Sequence, residues 1–173
     1  FPKASSSDHS TWALEFWVNI TRMVFEWLKM GSLTDGNLRG RVRFEREEVL
    51  KEALAEGRGV LLHSGHFGNW ELMGYILSIL CMDVTAVMRP LNNAYLNDYI
   101  VATRARRGLR LLAKKEVAAE SQAVLHEGGA LAFIADQDAG RKGLFVDFFG
   151  RPASTYKSIG LLAMHARVPV VVG

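Results

Sequence analysis

The chain has 173 residues, 49% of them apolar, with a formal net charge of +3. That length and apolar share supply the core of one globular domain, and so small a positive balance gives no reason to expect a nucleic-acid partner. Its single cysteine, Cys81, excludes an intramolecular disulfide and any metal centre built on cysteine.

Residues 1–8 are polar and read as a loose lead-in. Ser10 or Thr11 is a natural cap for an amphipathic helix over residues 9–30, which holds three of the four tryptophans. Its apolar positions, among them Trp12, Phe16, Trp17, Val24 and Trp27, cover more than one helical face. Such a helix packs on a core by one face, or in addition dips into a membrane interface, where Trp and Phe partition well. Glu15, Glu26 and Lys29 exclude a spanning segment. Gly31 and Gly36 then open a loop, residues 41–44 alternate like a strand, and residues 45–56 read as an amphipathic helix closed by Gly57.

From there strand and helix signals alternate. Strands are predicted over 60–62, 83–88, 109–112 and 130–135, with a last one at Val168. Helices are predicted over 70–80, 93–107, 116–126 and 154–166. The pattern specifies an α/β fold with a mostly parallel central sheet flanked by helices, residues 41–173 forming one core without repeats or linkers. The chain starts without Met and stops within the apolar run 170–172, so a fragment of a longer single-domain protein is expected, truncated at both ends.

The chemistry concentrates between the first strand and the helix after it, in Gly59-Val-Leu-Leu-His63-Ser-Gly-His66-Phe-Gly-Asn69-Trp-Glu71. Asn69 is a natural N-cap, and Glu71 falls in the first helical turn, where a carboxylate suits the helix dipole. Glu71 lies five positions after His66, whereas the same step from His63 reaches Gly68. His66 is therefore the candidate general base, with Glu71 as the acid that polarises it. His63 is expected to pack or hydrogen-bond beneath it. The alternative is a pair of structural histidines. Small residues around His66 (Ser64, Gly65, Gly68) leave room for a substrate.

His66-Phe-Gly-Asn-Trp-Glu71 resembles the His-x4-Asp/Glu signature of the lysophospholipid acyltransferase superfamily, in the wording of its lipid A biosynthesis branch, the lauroyl and myristoyl acyltransferases. A second block, Ala135-Asp136-Gln137-Asp138-Ala-Gly140 through Phe148-Phe149-Gly150-Arg-Pro-Ala153-Ser-Thr155, resembles the same branch. The Phe-Pro-Glu-Gly-Thr block of the glycerol-phosphate branch is missing. The resemblance implies an O-acyltransferase (EC 2.3.1 type) that moves a fatty acyl chain from a thioester of acyl carrier protein, or of CoA, to a hydroxyl of a phosphorylated glycolipid, a lipid A precursor. It further implies work at the cytoplasmic face of the bacterial inner membrane, with the membrane surface as a partner and no cofactor or metal. Another lysolipid or glycolipid acceptor, a non-catalytic lipid-binding module and a zinc hydrolase on His63, His66 and Glu71 are the competing readings.

The other polar candidates each have a plain alternative. Arg104, Arg106, Arg107 and Arg110 lie near a helix C-terminus, where cations complement the dipole without any ligand. By position between the two blocks, Arg104 matches the arginine that the resembled family places in its site, for substrate binding. Arg89, directly after a strand, is a second phosphate candidate, and Asn69 a third polar group at the site. Asp136 and Asp138 suit either a cation or a turn, and the resemblance assigns a substrate-binding role to Asp136. Phe145, Phe148 and Phe149 most simply fill core; in a lipid enzyme some would line an acyl-chain channel.

Overall fold

A computed structural model describes residues 3–38, 40–79, 83–105, 108–114 and 116–173. Cys81, Arg106 and Arg107 lie outside the described residues. In chain order the elements are α1 (Ser6–Lys29), a 3-10 turn (Met30–Ser32), α2 (Asp35–Leu38), α3 (Glu47–Ala55), β1 (Val60–Ser64), α4 (Trp70–Ile79), β2 (Val84–Met88), α5 (Ala94–Ala105), β3 (Arg110–Ala113), α6 (Val117–His126) and β4 (Ala130–Ile134). A second 3-10 turn (Gly140–Lys142), β5 (Leu144–Phe148), β6 (Arg151–Thr155), α7 (Ser158–Ala166) and β7 (Val170–Val172) complete the chain.

Five strands form a parallel sheet in the order β3-β2-β4-β1-β7. The expected α/β architecture is therefore present. Its central strands are apolar runs because helices cover both faces. Along β1, Val60 and Leu61 point to opposite faces, and the two faces build different cores. Leu61 and Leu131 pack with Leu112, Val124, Leu125 and Ile159 on one side. Val60 and Ala130 pack with Ala53, Val84 and Leu109 on the other. A third cluster joins Met30, Leu33 and Leu38 to Tyr75 and Ile76 of α4, with Trp27 beside it. That cluster seats the C-terminal end of α1.

Four local expectations fail, each for a physical reason. The first helix starts at Ser6, inside the supposed lead-in, because Ser5 and Asp8 close a capping box: the Asp8 amide donates to Ser5 Oγ at 3.1 Å and the Ser5 amide to Asp8 Oδ2 at 2.8 Å. Residues 41–44 form no strand. Val42 and Phe44 pack against the third cluster from irregular backbone instead. The last helix begins at Ser158, four residues later than the pattern suggests, because residues up to Thr155 belong to β6.

That strand is half of an unpredicted antiparallel hairpin, β5–β6, standing apart from the main sheet. Its register pairs Phe148 with Arg151, so Phe149 and Gly150 are the whole loop, at φ of 54° and 75°. Positive φ at both loop residues is the geometry of a type I′ turn. Among the described residues nothing buries the hairpin's aromatic rings: Phe145, Phe148 and Phe149 are 59%, 63% and 91% exposed. They do not fill the core. Among the described residues no helix is long and apolar enough to cross a membrane.

Gly59 precedes β1 at φ of 76°, and a Cβ there would lie 2.5 Å from the Leu125 carbonyl oxygen and 2.8 Å from its Cα. Strand β1 can pair only because this position has no side chain. Gly59→Ala is expected to cost about 3 kcal/mol, from the left-handed backbone and the clash with α6 together. An unchanged urea midpoint would contradict this.

Candidate active site

Strands β1 and β4 are neighbours with Ser64 opposite Ile134. Two residues beyond that pair, on each strand, stand His66 and Asp136. The chain leaves both strands at the same edge, and the Ala135 amide still donates to the Ser64 carbonyl at 3.1 Å. Register thus delivers the imidazole and the carboxylate to one place, at the C-terminal ends of parallel strands where such sheets bind ligands. Arg89 follows β2, which flanks β4 on its other side, and so stands on the same rim.

Asp136 grips His66 twice. Its Oδ2 accepts from the His66 amide at 2.7 Å, and its Oδ1 meets His66 Nδ1 at 2.6 Å. Each side chain is 34% exposed, so the pair opens to solvent without being loose. Burial works to raise the Asp136 carboxyl, but the bonds from the His66 amide and ring outweigh it and hold the group below its ordinary value of 3.8. An ionised carboxylate can only accept, so Nδ1 carries a proton, and in the neutral imidazole Nε2 keeps its lone pair. Trp70 sets its ring edge-on to the imidazole, with centroids 4.9 Å apart. Gly65 leaves the space for Asp136 to reach His66, since a Cβ there would lie 3.1 Å from Asp136 Oδ2 and 2.8 Å from the Phe67 ring.

Glu71 is not the partner of His66. Its two carboxylate oxygens take the Arg104 guanidinium, Nε at 3.0 Å to Oε2 and Nη2 to Oε1. The reason is geometric: Glu71 lies in the first turn of α4, against the last turn of α5, and both side chains are only about one-fifth exposed. Arg104 also directs Nη1 at the Met88 sulfur, at 3.6 Å. The fork that would grip a phosphate is thus engaged with Glu71. Arg89 is exposed and makes no ion pair among the described residues.

Asn69 caps α4 as its sequence position suggests, accepting from the Leu72 amide at 2.9 Å. Its own amide donates to Glu26 of α1 at 2.8 Å, so this side chain ties α1 to the turn. His63, on β1, keeps a buried Nδ1 with no hydrogen-bond partner among the described residues. Asp138 accepts from the Gly140 amide at 2.8 Å, a turn role. Among the described residues no three His, Cys, Asp or Glu side chains gather, so His63, His66 and Glu71 do not converge. The pairing of His66 with Asp136 was not readable without strand order; the one signal was that each follows an apolar strand.

A parallel α/β sheet with a His–carboxylate pair at its strand ends is the layout of an acid–base centre. Residues 1–172 match the family of bacterial lipid A biosynthesis acyltransferases, and the chain belongs to it. It is 29% identical over 150 residues to the lipid A biosynthesis palmitoleoyltransferase of Escherichia coli (strain K12), covering 86% of this chain and 48% of that protein. It is equally similar, over the same shares, to a lipid A biosynthesis acyltransferase of Shigella flexneri. The counterpart in Haemophilus influenzae is 26% identical over 136 residues, 78% of this chain and 43% of that one. The chain thus spans about half the length of the curated relatives it matches.

Because the Asp136 carboxyl sits below 3.8 in the folded protein, it binds its proton later on acidification than in the unfolded chain. Its contribution to stability is complete above that value and disappears as pH falls through the native one. Asp136→Asn should therefore melt lower than wild type near neutrality, with the gap closing below about pH 3.8. A gap that is constant with pH, followed by calorimetry, would refute the ionised pair.

Proposed function

We propose that the protein transfers a fatty acyl chain from an acyl thioester, carried by acyl carrier protein, to a hydroxyl of a lipid A precursor. The observation that carries this is the orientation of His66: Nδ1 is tied to Asp136, which leaves Nε2 as the base. Family membership supports the reaction class and the glycolipid acceptor.

In this reading His66 Nε2 takes the proton of the acceptor hydroxyl as its oxygen attacks the thioester carbonyl. The tetrahedral oxyanion then expels the thiolate, which recovers the proton from the imidazolium. Asp136 stabilises that imidazolium and fixes the ring; Glu71 acts through Arg104 rather than on His66. The amides of Phe67 and Gly68, which make no hydrogen bond among the described residues, are positioned on the same turn as His66 to receive the oxyanion. Arg89, exposed at the end of β2, takes the acceptor phosphate, with the Arg104–Glu71 pair as the buttress between α4 and α5. No redox group or metal enters the reaction as written. Placement on the cytoplasmic side of the inner membrane follows from the donor and acceptor proposed.

The test offers the protein, in detergent, acyl carrier protein loaded with labelled laurate to palmitate chains and a tetra-acylated lipid A precursor, with a lysophospholipid in parallel. His66→Ala should lower transfer by about 1,000-fold and Asp136→Asn by about 100-fold, with both variants folded. Arg89→Ala should raise KM for the phosphorylated acceptor by about tenfold at nearly unchanged kcat. Full activity in His66→Ala would end the mechanism, and label passing only to the lysophospholipid would replace the acceptor.

A further inference from the structure

The β5–β6 hairpin is the part of the molecule that the proposed chemistry does not use. It rises from the segment that follows Asp136, so its root belongs to the rim that carries His66. The root is fixed: Ser154 Oγ donates to the Gly140 carbonyl at 2.6 Å, the Ala139 amide donates to the Ser154 carbonyl at 3.1 Å, and Gly143 leaves no room for a side chain against Ser154. Beyond the root its strands pair chiefly with each other.

Alternation along the strands sorts the side chains. Leu144, Val146 and Phe148 share one face with Ala153 and Arg151 across the ladder, and all three apolar residues are exposed. Phe149 at the tip is 91% exposed and holds a left-handed backbone that suits Asn or Gly. Its ring stacks edge-on with Phe148 at 4.6 Å, which concentrates two aromatic rings at the end of the hairpin. Between residues 140 and 157 there are four cations (Arg141, Lys142, Arg151, Lys157) against one acid, Asp147. None of these cations makes an ion pair among the described residues.

The opposite end of the sheet is built otherwise. There Arg58 is paired with Glu56, and Arg110 lies 3.8 Å from Asp83. Among the described residues, exposed aromatic groups stand beside unpaired cations at the His66 rim. Phe67, 82% exposed and next to His66, is on it, as are Leu91 and Tyr95 after β2.

We propose that the β5–β6 hairpin is a membrane-interface wedge: Phe148 and Phe149 enter the interfacial layer of an anionic bilayer while Arg141, Lys142 and Arg151 meet its phosphates, which turns the His66 rim toward the lipid. The charge excess selects anionic headgroups, and paired aromatic rings suit the interfacial layer. The choice of a bilayer as occupant rests on the lipid-substrate reading above.

The experiment measures flotation of the protein with vesicles of one part phosphatidylglycerol to three of phosphatidylethanolamine, and with phosphatidylcholine alone. Wild type should float with the first and only weakly with the second. Phe149→Asn restores the residue that a type I′ turn favours, so it should melt no lower than wild type and yet partition about tenfold more weakly. Phe148→Ser should weaken partition similarly, and Arg141→Glu with Lys142→Glu should remove the preference for phosphatidylglycerol. His66→Ala should float as wild type does, which separates this proposal from the chemistry: hairpin-dependent flotation without acyl transfer would leave the wedge standing. Flotation unaffected by both phenylalanine variants would overturn it. So would wild-type flotation in those variants combined with lost binding to acyl carrier protein, or with a dimer that dissociates, since the hairpin would then serve a protein surface.

Discussion

The parallel register between β1 and β4 is the constraint on which the site depends. It places Ser64 opposite Ile134, and two further residues on each chain bring an imidazole to a carboxylate. Asp136 then binds the His66 backbone and ring together, so the turn cannot open without losing both bonds. A shift of one residue would send every core side chain of the strand to the wrong face. The buried sequence Val60-Leu61 against Ala130-Leu131 is thus what holds the site in register, ending five residues before His66 and Asp136.

Around that pair the protein uses its charges in two ways. Glu71 and Arg104 neutralise one another in a partly buried seam between α4 and α5, whereas Arg89 and the hairpin cations stay open. A bidentate pair in such a position fixes the spacing of two helices because breaking either half would strand a charge. The open cations carry no such structural duty. Their exposure at one edge of the sheet gives the surface a polarity that the net charge of +3 does not reveal.

The parallel sheet and its helices were legible because apolar runs alternate with amphipathic segments, and those periods survive in the folded chain within a few residues. His66 stood out in the sequence by its motif and glycine-rich setting, and the structure sets it at the strand ends beside Asp136. Its partner was misread, since Glu71 is near in sequence while Asp136 is near only after strand order is known. The hairpin escaped notice because Phe145, Phe148 and Phe149 look like core, and burial is not a property of a residue type alone. The Phe149-Gly150 loop lacks the Asn-Gly signal that would have marked the turn. Ser5 and Asp8 did carry a readable signal, a capping box three residues apart, hidden by the polarity of the segment around them.

Helix α1 is seated near its C-terminal end. Met30 is buried against Tyr75 and Ile76, Trp27 meets Tyr99 edge-on at 5.5 Å, and Glu26 holds Asn69. Residues 6–19 are exposed on every side, and the helix extends about 30 Å beyond Glu26. The Glu26–Asn69 bond thus ties the seat of α1 to the cap of α4, three positions from His66, so the helix and the turn share one support.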